Sequence, residues 1–407
     1  MKDKRFQKVT GQAELGVEKW AARHKETEKR NIAKVLDAFR KREINYQHFQ
    51  LTSGYGLGDR GRDTLERLWA DILGAEEALI RQQIVSGTHS ISLALFGCLL
   101  PGNHMVIMGE PYDTLFKVIG RSKSDPGSLL ELGIPYSIHP LEEWENMETS
   151  FTEQTKFLYI QRSKGYCYRK ALALWEIEAM IKKAKSINPD IIAFVDNCYG
   201  EFTEDREPIE VGADLIAGSL IKNPGGSIAP SGGYLAGRGV LIERASYRLS
   251  APGIGRELGP SLISNSYLYQ GIFMAPHIVA EALKGAVYAA GAFDALGYDV
   301  LPGPEDLRSD IVQAISFHDP DKLKNFCRGV QKYSPVDSHV FLEDWEMAGY
   351  EDRVIMASGG FVQGSSIELS VDGPMRPPYN AYLQGGTSFS YIQLVIDRII
   401  GEMLGIE

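Results

Sequence analysis

Cysteine is scarce in this chain: Cys98, Cys167, Cys198 and Cys327 are the only four in 407 residues, and they form no Cys-x-x-Cys pair. That spacing supplies neither a zinc site nor a disulfide framework and suits a reducing, cytoplasmic setting. Long apolar runs are absent too, so no membrane span is expected. Basic residues are outnumbered, 43 against 53 acidic, for a net charge of −10. Nucleic acid, which asks for a basic face, is therefore not an expected partner. The charged start Met1-Lys2-Asp3-Lys4-Arg5 is followed by no apolar segment, so no signal peptide is expected. Internal repeats and low-complexity tracts are missing. His89, His104 and His277 stand alone and read as structural or pocket-lining rather than as metal ligands. The remainder is ordinary globular composition, 44% hydrophobic and 24% charged, on a chain long enough for two domains.

Hydrophobic periodicity predicts a helix over roughly 11–40, with Leu15, Val17, Trp20, Ile32, Val35, Leu36 and Phe39 on one face. A glycine-rich segment, 52–62, leads to Asp63-Thr64-Leu65-Glu66, which reads as a helix start capped by Asp63 and stopped at Gly74. Strand and helix then alternate. Strands are expected at 78–81, 105–108, 156–160 and 191–195, and helices at 87–100 and 171–185. Near-continuous Ile, Val and Phe runs between helices indicate a sheet buried on both faces, hence parallel strands. After Val300 the pattern changes to a helix near 321–332, short strands near 353–356 and 366–371, and a last helix over 389–404. The expected class is α/β: a large doubly wound, mostly parallel sheet domain with a smaller α+β domain at the C-terminal end. The boundaries expected are 1–62 for a helix and arm, 63–295 for the large domain and 296–407 for the small one.

Several polar groups fall at strand ends or helix starts, where ligands bind in open α/β sheets. Ser86-Gly87-Thr88 opens an apolar helix, whose N-terminus suits a phosphate or is an ordinary serine cap. Tyr112 follows a strand and can stack on a flat ring or simply be half-buried. Asp196 ends the apolar strand 191–195, so its charge needs a partner. Ser219 and, three residues on, Lys222 close the next apolar stretch ahead of Asn223-Pro224-Gly225-Gly226. Desolvation there is expected to lower the Lys222 pKa and favour the neutral amine. Cys198 reads as packing or pocket lining. A phosphate loop, an aromatic, an acid and a Ser-x-x-Lys, in that order, suit pyridoxal 5'-phosphate, which needs a Schiff-base lysine and an acid at its ring nitrogen.

These motifs resemble the fold-type-I pyridoxal phosphate enzymes with the aspartate aminotransferase-like fold, and within them the Cys/Met-metabolism group. Ser86-Gly87, Tyr112-Asp113-Thr114, Val195-Asp196-Asn197 and Ser219 with Lys222 are similar to that group's motifs. Gly54-Tyr55-Gly56, 59–66 and Ile221-Lys222-Asn223-Pro224-Gly225-Gly226 resemble the branch described as aluminium-resistance or methionine γ-lyase-like proteins. The resemblance implies a carbon–sulfur lyase acting on a sulfur-containing amino acid by β- or γ-elimination. The alternatives are a racemase, an aminotransferase, a γ-replacement enzyme, or a silent binding or regulatory protein on the same fold.

The resemblance further implies Lys222, Asp196 and Tyr55 as catalytic residues. Ser86, Gly87, Thr88, Tyr112, Ser219 and Gly225 would hold the cofactor, with Tyr55 and Gly225 reaching across from a partner chain. A homodimer or homotetramer with shared active sites follows, with no metal. Tyr55 lacks the group's nearby arginine, since Arg60 and Arg62 are displaced. The arginine that grips the substrate carboxylate in the group is missing before Ser370, leaving Arg376 and Ser358, with Tyr55, as substrate-binding candidates. Arg162 or Ser163 falls near the expected phenolic oxygen of the cofactor, unless this stretch is a solvated basic turn.

Overall fold

The computed structural model describes residues 4–406. Met1, Lys2 and Asp3 of the charged N-terminus lie outside the described residues. The chain begins in α1 (Lys4–Lys41), longer than predicted. Val17, Trp20 and Val35 are buried as predicted, whereas Leu15, Ile32 and Leu36 stay at the surface. α2 (Arg60–Leu73) starts three residues before its predicted cap. Asp59 caps it by accepting from the Arg62 amide at 2.9 Å, and Asp63 pairs with Arg62 instead. Glu66 makes no capping box; it is buried against Arg81 and accepts from the Ile80 amide at 3.1 Å. Gly74 ends α2 in the left-handed conformation, as predicted.

The large sheet contains β1 (Glu77–Arg81), β2 (His104–Met108), β3 (Tyr136–His139), β4 (Thr155–Gln161), β5 (Ile192–Asp196), β6 (Leu215–Ser219) and β7 (Gly233–Gly237). Its spatial order is β1-β7-β6-β5-β4-β2-β3. β2 to β6 run parallel, and β7 runs antiparallel to both β1 and β6. The sheet is therefore mostly parallel, as expected, and the exception is β7, a Gly-Tyr-Leu-Ala-Gly run. Helices α3 (Gly87–Cys98), α4 (Asp113–Ile119), α5 (Leu174–Ile187) and α6 (Gly239–Leu249) follow β1, β2, β4 and β7. Apolar layers lie on both faces of the sheet, which is why its strands are almost fully buried.

A long helix, α7 (Ser266–Ala295), packs against α1 and leads to the second sheet. That sheet contains β8 (Asp299–Leu301), β9 (Val312–Ser316), β10 (Val354–Ser358), β11 (Ser370–Pro374) and β12 (Asn380–Gln384), in the antiparallel order β10-β11-β12-β9-β8. α8 (Pro320–Lys332) and α7 pack against it, and α9 (Phe389–Met403) packs on those two helices. β11 begins later than the predicted 366–371 strand. Before it, Glu368 turns aside to accept from the Val362 amide at 3.0 Å and the Ser227 hydroxyl at 2.9 Å. A buried ion pair joins the two sheets: Lys164 Nζ lies 2.8 Å from Asp310 and donates to the Val312 carbonyl at 2.8 Å. No described helix is long and apolar enough to cross a membrane.

Candidate active site

The carboxyl ends of β2, β4, β5 and β6 converge with the start of α3 around a cavity of about 510 Å³. Ser86, Gly87, Thr88, Tyr112, Asp196, Ser219 and Lys222 line it from the large sheet, and Ser358 and Arg376 from the small one. Ser86 is the cap of α3, its hydroxyl accepting from the His89 amide at 3.0 Å. A helix leaves its first amides without internal partners, so those of Gly87 and Thr88 remain for an anion. The Ser90 hydroxyl donates to the Gly218 carbonyl at 2.8 Å and pins the helix to β6. Gly87 makes that close approach possible: a Cβ there would stand 3.1 Å from Cys198 Sγ and 3.5 Å from Ser219 Cβ. Tyr112 sits with its hydroxyl 3.4 Å from Thr88 Oγ1.

Asp196 is held at the end of β5 by the Cys198 amide at 3.1 Å and the Tyr159 hydroxyl at 3.3 Å. Burial raises its pKa, while the Lys222 charge and these donors pull it down. Burial also pushes the Cys198 thiol far up, so this cysteine is a neutral lining group, as predicted. Lys222 departs from expectation. Burial does act to lower its pKa, but the acidic groups Cys198, Tyr199, Asp196 and Tyr112 outweigh it and the net shift is upward. The amine is held as a cation, 3.9 Å above the Tyr199 ring.

Of the other sequence candidates, Ser163 lines the cavity and the rest lie elsewhere. Tyr55 is 72% exposed, outside the lining of this cavity. Gly225 is buried within its own chain, where a Cβ would meet the Leu220 carbonyl and Ala229. Arg62 is spent on the Gly56 and Gly259 carbonyls at 2.9 and 2.8 Å, and Arg60 reaches Gln47. The 162–164 stretch is no solvated turn. Arg162 is buried between Asn197 and Glu204, and Ser163 donates to Asp310 at 2.8 Å, because acids distant in sequence fold onto both.

Sequence reasoning missed several lining groups. Gln161 closes β4 with a buried side-chain oxygen that has no partner. Tyr166, Tyr199, Tyr350, Asp372 and Gln384 complete the wall. A signal existed for Asp372 alone: it follows Ser370 by two residues on a strand, so both share one face. His104 is tied to Thr155 and Ser137, and no group of metal-ligating residues is found among the described residues.

Fold and site together define a protein of fold-type-I pyridoxal phosphate enzyme architecture. The pyridoxal-5'-phosphate dependent protein YhfS from Escherichia coli shares that fold with a TM-score of 0.61 at 15% identity, over 93% of this chain and 96% of its own. The chain belongs to the methionine gamma-lyase family, matching it over residues 6–404. Among its relatives, the uncharacterized protein YnbB of Bacillus subtilis is 47% identical over 94% of this chain and 93% of its own length. A carbon-sulfur lyase involved in aluminum resistance from Clostridium novyi NT is 46% identical, with a TM-score of 0.93 over 98% of this chain and 96% of its own. A cystathionine beta-lyase of Lactococcus lactis subsp. cremoris is 24% identical over 69% of this chain and 72% of its own.

Proposed function

We propose that the protein is a pyridoxal 5'-phosphate-dependent carbon–sulfur lyase acting on a small sulfur-containing amino acid by β- or γ-elimination. The observation that carries this reading is one cavity shared by the Lys222 amine, the Asp196 carboxylate and the open first turn of α3. The residues fit the cofactor. The space that a Cβ at Gly87 would fill is left clear beside Ser219, and Asp196 is an acid whose buried charge needs a cationic partner. When bound, the cofactor supplies an electron sink for the charge left at Cα.

In this reading Lys222 holds the cofactor and moves the Cα proton as base and acid. Asp196 would hold the ring nitrogen in its protonated form, and Tyr112 would hold the ring. Gly87, Thr88 and Ser219 would hold the phosphate, with Ser86 fixing the helix whose first amides are open. Residues 63–295 carry this machinery, and 296–407 supply the wall that meets the substrate. Arg376, which lines the cavity and pairs with Asp352 at 2.7 Å, takes the substrate carboxylate beside Ser358. Arg376→Ala is expected to raise KM about tenfold or more with a smaller fall in kcat, measured by steady-state kinetics.

The arm around Tyr55 supports an assembly of at least two copies, and the four unpaired cysteines support a cytoplasmic setting. Leu51, Tyr55 and Leu57 are exposed, as are Leu262 and Ile263, and Thr52 ties the two segments through the Ser261 carbonyl at 3.1 Å. Apolar surface of this kind marks protein contacts. The shared-site homodimer or homotetramer leaves Tyr55 free to complete a neighbour's cavity, while Gly225 is a packing residue.

The test is direct. Purified protein should be yellow and release keto acid from one of cystathionine, methionine or cysteine. Spectral shifts without product would favour a binding protein, and a colourless protein that takes up no added cofactor would sink the proposal.

A further inference from the structure

One wall of the cavity carries a charge that the reading above leaves unused. Strand register places Ser358 opposite Ser370 and Met356 opposite Asp372, and Gln384 opposite Ser370 on the other side. Side chains at alternate positions share a face, so these groups form one surface, and all line the cavity. Asp372 is only 8% exposed. The Gln384 amide donates to its Oδ2 at 3.1 Å. Burial pushes its pKa up to about 6, which still leaves it an anion at neutral pH.

Three tyrosines lie near it, and the Tyr166 hydroxyl hydrogen-bonds the carboxylate. Tyr166, Tyr199 and Tyr350 line the same cavity, and the Tyr166 and Tyr350 ring centroids lie 5.6 Å apart. Burial raises all three hydroxyl pKa values, and the Asp372 charge raises each of them further. Aromatic faces and a buried carboxylate both favour a cation. The arginines that line the cavity are already paired, Arg376 with Asp352 at 2.7 Å and Arg121 with Glu351 at 2.8 Å. The Lys222 charge also acts on Asp372, but it is shared with Asp196 and the Tyr199 ring.

We propose that Asp372, with the rings of Tyr166, Tyr199 and Tyr350, is a subsite for a positively charged group on the substrate arm beyond the reacting carbon. The inference rests on the lyase reading of the same cavity. There Arg376 takes the α-carboxylate and the α-amine goes to the Lys222 side, so the departing arm is what meets Asp372. A neutral thioether arm would leave the buried carboxylate with only the neutral Gln384 and Tyr166 donors and the Lys222 charge it shares with Asp196. The cation is either an ammonium at the end of the arm or a sulfonium at the sulfur itself.

The holoenzyme is assayed with two matched pairs. S-aminoethyl-L-cysteine against S-propyl-L-cysteine tests the ammonium. L-methionine methylsulfonium against L-methionine tests the sulfonium. In at least one pair the wild type is expected to prefer the cationic compound in kcat/KM, and Asp372→Asn to reduce that ratio by about tenfold or more. The pair showing the larger ratio identifies the cation. No preference in either pair overturns the proposal without recourse to any variant. A ratio unchanged in Asp372→Asn also overturns it, because Asp372 then serves Lys222 rather than the substrate. If the wild type turns over none of the four, nor cystathionine or cysteine, the lyase reading fails separately. Titration of the visible band with the same compounds then decides the subsite: tighter binding of a cationic member, lost in Asp372→Asn, supports it, and equal affinities overturn it.

Discussion

Lys222→Ala is expected to yield a folded protein that neither turns yellow with added cofactor nor turns over any thioether amino acid. The expected loss in kcat is at least about 10²- to 10⁴-fold, the range of a single positioned proton-transfer group. Loss of the cofactor anchor adds to it. Folding should survive, because the Lys222 side chain is half-buried in a solvent-reachable cavity and serves as no helix cap. Absorbance spectra and single-turnover assays read both effects, and circular dichroism reads the fold. A yellow, active Lys222→Ala protein would remove the amine from the chemistry.

The second large effect concerns stability. Glu201 is fully buried near the Lys222 end of β6. The Tyr234 hydroxyl donates to its Oε1 at 2.7 Å, while Oε2 has no partner. Burial raises its pKa to about 8, from an ordinary 4.5. Glu201 therefore stays neutral in the folded chain over a range where the unfolded chain ionises it. A raised acid pKa stabilises fully below the unfolded value, and that contribution is lost as pH rises towards the folded one. Wild-type stability should thus fall between about pH 4.5 and 8 through this residue, by a few kcal/mol in order of magnitude. Glu201→Gln keeps the size and an acceptor for Tyr234 but removes the titration. Its unfolding midpoint, followed against pH, should fall less steeply than the wild type's, and the two should differ most above pH 8. Parallel curves would show that Glu201 does not titrate on unfolding.

Much of the cofactor side of the site was legible because short-range rules govern it. Asp196, Ser219 and Lys222 end apolar runs, and an α/β sheet gathers such ends on one edge. Ser86 and Gly87 open an apolar helix, and that local pattern is independent of distant sequence. The substrate side was not legible in the same way. Asp372, Tyr166 and Tyr350 meet only because the second sheet closes over the first, with Lys164 and Asp310 buried at the join. Nothing near Arg162 in sequence announces that Glu204 and Glu207 will fold back on it and take it out of solvent. The Lys222 charge escaped for a related reason. Desolvation can be inferred from a flanking apolar run, whereas the acids that outweigh it are set by tertiary contacts. At α2, two aspartates four apart competed for one cap, and Asp59 won through its bond to the Arg62 amide.

Lys222 is the proposed attachment point for the cofactor, and every other role assigned to the site depends on it. Borohydride reduction of the yellow protein, followed by digestion and peptide mass mapping, tests this most directly. The predicted result is a phosphopyridoxyl mass increment on the peptide holding Ser219 and Lys222, and on no other. A label on another lysine such as Lys164, or no label on a protein saturated with the cofactor, would contradict it.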